Sequence, residues 1–154
     1  MKPFFILALL LITVAPSSWA TARINPFVSD GCSRWMDGNW WKPEKWYKCC
    51  FVHDLSYWIG GSSEARLAAD LELKSCVRAQ GELIQSQVIY LGVRVGGGPE
   101  HNTSYRWGYG WHEQRGYRTP TAADLAQVRE ELDLIQLPPQ EMRWVKKFRR
   151  EHQL

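Results

Sequence analysis

The chain has 154 residues, 45% of them hydrophobic, and 19 Lys and Arg against 16 Asp and Glu give a net charge of +3. That length fits one small domain with a modest core, and no Pro- or Gly-rich linker or internal repeat argues for two. The charge is only mildly basic, and no nucleic-acid partner is expected.

The chain opens with a short positive start at Met1-Lys2, an apolar run from Phe4 to Val14, and a small, polar stretch ending Ser18-Trp19-Ala20. This is the pattern of a secretory signal peptide cleaved after Ala20; an uncleaved anchor formed by residues 4–20 is the weaker expectation. Cleavage removes Lys2 and no acid, so the net charge falls from +3 to +2. Export, to the periplasm or the medium, puts Cys32, Cys49, Cys50 and Cys76 in an oxidising compartment, where an even number implies two disulfides. Of nine tryptophans, eight lie beyond Ala20. That is more than so small a core needs, so some are expected to meet a lipid interface or a substrate.

Residues 21–42, rich in Gly, Asp, Asn, Ser and Trp without periodicity, read as an ordered loop. Residues 43–59 are helix-permissive, with Pro43 suited to a first turn and Gly60-Gly61 as a stop. Ser62 or Ser63 caps a second helix, which carries Glu64 in its first turn and runs to Gln80 before Gly81. Residues 82–95 read as helix, with a turn to strand near the end as the alternative. Residues 96–119, which contain Trp107-Gly-Tyr-Gly-Trp111, hold too much glycine for regular helix. Thr121 and Asp124 form a near capping box before the stripe Leu125, Val128, Leu132 and Ile135, predicting helix to about Gln136. After Pro138-Pro139 the tail sets Arg143, Lys146, Lys147, Arg149 and Arg150 against Trp144, Val145 and Phe148, a basic amphipathic helix.

The chemistry concentrates in Cys49-Cys50-x-x-His53-Asp54-x-x-Tyr57 on the first predicted helix. Helical spacing puts Cys49, His53 and Tyr57 on one face and Cys50, Asp54 and Trp58 on another. A bridge between adjacent Cys49 and Cys50 is disfavoured by disulfide geometry, which leaves two pairings open. In one of them, Cys32 with Cys50 and Cys49 with Cys76, the Asp54 face is tied to the loop and the His53 face to the second helix. The short Gly60-Gly61 link makes those helices antiparallel neighbours, and Asp70 then comes level with His53. An imidazole beside a carboxylate is an oriented general base; a second carboxylate facing a loop rich in carbonyls suits a hard cation.

Taken together, Cys-Cys-x-x-His-Asp at 49–54, Tyr57, the Asp-x5-Cys step at Asp70 and Cys76, and the upstream loop cysteine Cys32 resemble the secreted phospholipases A2. The match covers residues 29–78, and bacterial members with a Cys-Cys-x-x-His-Asp and Tyr-Trp-x-Gly-Gly run look most similar. The resemblance implies a mainly α fold: two antiparallel disulfide-linked helices with a metal-binding loop, plus extra helices in a C-terminal extension. It divides the chain into a leader at 1–20, a phospholipase A2-like domain at 21–120 and an extension at 121–154. It implies His53 as the base that activates water, Asp70 as its partner, Tyr57 as support for Asp70, and Asp54 as a calcium ligand. The carbonyls of Gly31, Ser33 and Trp35 would complete the calcium site, with the side chains of Asp30 or Asp37 as substitutes. The disulfides implied are Cys32 with Cys50 and Cys49 with Cys76.

The activity implied is calcium-dependent hydrolysis of a glycerophospholipid acyl ester at a membrane surface. The competing reading is a non-catalytic lipid- or partner-binding envelope protein on the same scaffold, with the basic tail docking an envelope protein. Zinc held by Cys49, Cys50 and His53 is a further reading, weakened by the lack of a fourth ligand. Trp40, Trp41 and Trp46 read equally as a lipid-facing rim or as core anchors, and the Trp107–Trp111 segment as packing over a loop-rich core. Asn102-Thr103-Ser104 fits a glycosylation triplet, a pattern too common to weigh.

Overall fold

The computed structural model describes residues 23–154, so the leader expected at 1–20 lies outside the described residues. Five helices and no strand occur among them: α1 Tyr47–Ile59, α2 Ser63–Ala79, α3 Leu83–Gly96, α4 Ala122–Leu134 and α5 Pro139–Glu151. None of these helices is long and apolar enough to cross a membrane.

The first helix starts four residues later than Pro43 suggested. Asn39 and Lys42 pair backbone to backbone at 2.9 and 3.1 Å, and the Trp46 amide donates to the Asp37 carbonyl. These bonds hold residues 43–46 as turns. They also drive Trp46 into the core, where its indole N–H donates to the Met36 carbonyl at 2.6 Å.

Gly60 and Gly61 both take positive φ, 75° and 151°, a region glycine enters freely, and the chain reverses there. The Ser62 hydroxyl then accepts from the Ala65 amide at 3.2 Å and opens α2. Cys49 near the start of α1 is bridged to Cys76 near the end of α2, with Cα atoms 5.7 Å apart, so the two helices run antiparallel. The second bridge, Cys32 to Cys50, fastens the preceding loop to the other face of α1. Helix α3 is helical through Gly96, and the alternative turn to strand does not occur.

The Trp107–Trp111 segment has a structural task. A helix leaves its last four carbonyls without partners, and each buried orphan costs about 1–3 kcal/mol. At the end of α1, Gly108 N–H donates to Tyr57 O, Gly110 N–H to Trp58 O, and the Trp111 indole to Ile59 O. The Trp107 indole adds a bond to Gly61 O at 2.9 Å. Gly110 lies so close to Trp58 that a Cβ there would strike its ring. The glycines permit this approach and the tryptophans fill the space beneath it.

Helix α4 opens with the full capping box of Thr121 and Asp124. Val128 and Leu132 of α4 and Val145 and Phe148 of α5 join Phe51, Leu55 and Trp58 of α1 in one core cluster. The C-terminal segment therefore shares its core with α1. The tryptophans divide sharply: Trp46, Trp58, Trp107 and Trp111 are buried, whereas Trp40 and Trp41 are 89% and 86% exposed. The expected Trp40, Trp41 and Trp46 cluster is thus split, one member in the core and two on the surface.

Candidate active site

The face of α1 read from spacing is used as a unit. Cys49 bridges to α2, His53 Nε2 lies 2.8 Å from Asp70 Oδ1, and the Tyr57 hydroxyl donates to the same oxygen at 2.8 Å. Because a carboxylate only accepts, Nε2 carries the proton and Nδ1 is left with its lone pair. Among the described residues no other hydrogen bond reaches the ring of His53, whose centroid lies 4.2 Å from that of Tyr57. Asp70 has no exposed side-chain surface, and its second oxygen accepts from Arg94 at 2.6 Å. Burial by itself would raise the Asp70 carboxyl, but the bonds from His53, Arg94 and Tyr57 outweigh it and hold the group below the usual carboxylate range.

Arg66, also buried, ties this pair to the rest of the fold. It donates to the Tyr57 hydroxyl at 3.1 Å, to the Tyr117 hydroxyl at 2.7 Å, and to the carbonyls of Val93 and Arg94. Spacing identified His53, Tyr57 and Asp70 but missed Arg66, Arg94 and Tyr117. Arg66 stands four residues before Asp70 on α2, a same-face spacing that carries the signal for it. Nothing local marks Arg94 or Tyr117, whose positions depend on how α3 and the loop at 97–121 fold back.

Asp54, on the other face, has a different environment. It is 8% exposed, and its Oδ2 accepts from the Ser29 hydroxyl at 2.6 Å. Burial pushes its carboxyl well above the usual range; the Ser29 bond opposes this, and the charges of Asp30 and Asp37 add to the rise. No cationic side chain among the described residues compensates it. In the preceding loop Gly31 and Arg34 take positive φ, 75° and 63°, and Asp37 Oδ1 accepts from the Cys32 amide at 2.7 Å. Asp37 is thereby committed to shaping the loop. Asp30 accepts from the Ser33 hydroxyl at 2.6 Å. Ser29, which holds Asp54, is a further residue that spacing did not reveal.

Both faces front one cavity of about 320 Å³. Its polar end is made by Gly31, Ser33, Trp35, His53 and Asp54, and its apolar wall by Leu73, Val88, Ile89 and Val93. A cavity of this size with a few convergent polar groups suits a small organic ligand. Gly31, Ser33, Trp35, His53, Asp54 and Tyr57 all line it, whereas Asp70 stands behind His53 and the substitute ligands Asp30 and Asp37 do not line it. Cys32, Asp37 and Cys50 also approach within ligand distance of one another, but the two cysteines are joined to each other and offer no thiolate. Since no cysteine among the described residues is free, the zinc reading through Cys49 and Cys50 also falls. No family model matches the chain, and no curated protein or solved structure is similar to it.

Proposed function

We propose that the protein is a phospholipase A2-type esterase that hydrolyses an acyl ester of a glycerophospholipid with calcium. The observation that carries this is the buried His53–Asp70 pair opening on a cavity it shares with an uncompensated buried carboxylate, Asp54. Nδ1 of His53 takes the proton of a water as that water attacks the ester carbonyl, and Asp70 stabilises the imidazolium formed. Asp70 stays charged because Arg94 and Tyr57 hold it so. The imidazolium then returns its proton to the leaving alkoxide.

Calcium would be held by Asp54 with the carbonyls of Gly31, Ser33 and Trp35. The donor set fits a hard cation: a buried carboxylate without a counter-charge beside a loop whose positive-φ residues turn its carbonyls. When bound, the ion supplies Lewis-acid stabilisation of the developing oxyanion.

A lipid surface as partner is supported by the rim. Trp35 and Val88 line the cavity and are 43% and 39% exposed. Asn39 and Lys45 both bond Glu82, at 3.2 and 2.6 Å, which brings the loop bearing exposed Trp40 and Trp41 beside exposed Leu83 and Ile84 at the start of α3. Soluble surfaces rarely leave so many large apolar groups adjacent.

The test is fatty-acid release from phospholipid vesicles by the wild type, His53→Gln and Asp54→Asn, with calcium or chelator. Release that needs calcium and falls about 10³-fold in His53→Gln is expected. No release by the wild type on any lipid composition sinks the enzyme reading.

One observation favours the second reading, a docking protein of the cell envelope. Arg143, Lys146, Lys147 and Arg150 stand on one exposed face of α5, and only Lys147 is ion-paired, to Glu151 at 3.4 Å. Deleting α5 would uncover Val145 and Phe148, so the test is charge reversal: Arg143→Glu with Lys146→Glu abolishes envelope association and leaves hydrolysis intact.

A further inference from the structure

Twelve glycines occur in the chain, and nine of them have a reason in the fold. Six take positive φ, and Gly38, Gly97 and Gly110 each have a neighbour that a Cβ would strike, whereas at Gly98 only the exposed end of Glu100 is in the way. At Gly97, for example, a Cβ would lie 2.7 Å from the Tyr57 ring. Gly92 and Gly96 have neither reason. Both are in α3, one turn apart, and a side chain added at either meets nothing within 4 Å. Glycine is the poorest helix former except proline, so Gly92 in mid-helix weakens α3 for no packing return.

What the two residues do share is the cavity. Gly92 and Gly96 line it on the same side as Val88, Ile89 and Val93, one turn of α3 after another. At its polar end stand His53 and Asp54, each more than nine-tenths buried, and among the described residues His53 Nδ1 and one Asp54 oxygen have no hydrogen-bond partner. The side-chain-free positions of α3 therefore line the same cavity as these two buried polar groups.

We infer that Gly92 and Gly96 are specificity-determining residues: their missing side chains leave a slot along α3 for one extended alkyl chain, whose acyl end is delivered to His53. The choice of an ester-bearing chain rests on the esterase reading; the slot itself does not. A Cβ at Gly92 narrows the slot without touching the fold, and a leucine there fills it. Long chains, which need its full length, suffer most, and short chains that occupy only the polar end suffer least.

The test uses the mature chain as wild type, Gly92→Ala, Gly92→Leu and Gly96→Leu. Binding of dodecanoate and hexanoate is measured by displacement of a fluorescent fatty acid, and hydrolysis is measured on long- and short-chain phosphatidylcholine. Gly92→Ala is expected to melt about 3 °C higher than wild type, because the helix gains and nothing clashes. Gly92→Leu is expected to keep its fold and lose about tenfold in dodecanoate affinity, the worth of one or two methylenes excluded from apolar contact, while hexanoate binding is unchanged. Equal dodecanoate affinity in a folded Gly92→Leu, failure of both Gly92 variants to fold, or no fatty-acid binding by the wild type each overturn the inference. Chain binding with the expected variant pattern but no hydrolysis would sink the esterase reading and leave the slot standing. Hydrolysis whose chain preference is unmoved in Gly92→Leu would do the reverse.

Discussion

His53 and Asp54 are neighbours in sequence, yet their surroundings are finished to different degrees. The partner of His53, Asp70, accepts from three donors, two of them braced by Arg66, and stays charged with no exposed surface. Asp54 accepts from one neutral hydroxyl and faces two further acids. A buried carboxylate is tolerated when paired and costly when it is not. One carboxylate of the site is therefore compensated within the polypeptide, whereas the other is buried with no cationic side chain against it among the described residues. The difference also explains why two adjacent residues can take different tasks: α1 turns His53 toward α2 and α3, which bring arginines, and Asp54 toward the loop, which brings acids and carbonyls.

The widest gap between the halves is expected in stability. Asp70→Asn leaves Arg66 and Arg94 without their anion and lowers unfolding free energy by about 3 kcal/mol. Asp54→Asn removes an uncompensated charge and leaves apo stability unchanged or raised by about 1 kcal/mol. Urea unfolding of both variants without calcium reads this directly, and equal losses in the two would break the comparison.

Calcium is expected to act on one half alone. At a concentration about 100 times its dissociation constant it adds about 2.7 kcal/mol to wild-type stability. His53→Gln keeps that gain and Asp54→Asn loses it. A calcium shift of equal size in Asp54→Asn would remove the loop from the ion's site.

The signs of pH dependence are opposite too. Asp70 is held below its unfolded value, so its contribution is present above the ordinary carboxylate range and is lost as pH falls through it and then through the lowered folded value. Asp54 is raised, so the folded state holds its proton longer than the unfolded chain does. Its penalty is absent at acid pH and grows as pH rises from about 4 toward the raised value. Calcium-free melting of Asp54→Asn against wild type should therefore diverge with rising pH, and that of Asp70→Asn should converge with wild type as pH falls. Parallel curves for wild type and Asp54→Asn would show that Asp54 is compensated after all.

Much of this site was legible because it is local. Cys49, His53 and Tyr57 recur every four residues and share a face, Gly60-Gly61 forces the reversal, and Asp70 then falls opposite His53 by helical rise alone. Ser62 and the Thr121–Asp124 box marked helix starts through side chains that satisfy their own backbone. The start of α1 was misread because Pro43 is compatible with a first turn, and only the Asn39–Lys42 pairing and the burial of Trp46 decide otherwise. The Trp107–Trp111 segment could be seen to be non-helical but not to cap α1, since its partners lie some fifty residues earlier. Arg94 reaches Asp70 only through the crossing of α2 and α3, and no spacing in the sequence encodes that crossing.

The same limit applies to the tryptophans before α1, where composition made Trp40, Trp41 and Trp46 look alike. Trp46 follows a turn that points it into the core against the two disulfides, whereas Trp40 and Trp41 sit in the short pairing of Asn39 with Lys42 and face outward. The smallest effect on the fold is accordingly expected from Trp40→Ala with Trp41→Ala, within about 0.5 kcal/mol of wild type because neither ring is packed. Trp46→Ala, by contrast, opens a core cavity and costs about 3 kcal/mol or more. Partition onto zwitterionic vesicles, measured by sedimentation, should nevertheless weaken in the double variant, since two indoles at an interface are well suited to lie half in lipid. If partition is unchanged while the fold is intact, lipid contact must come from the rest of the rim, through Trp35, Met36 and the exposed Leu83, Ile84, Leu91 and Val95 of α3.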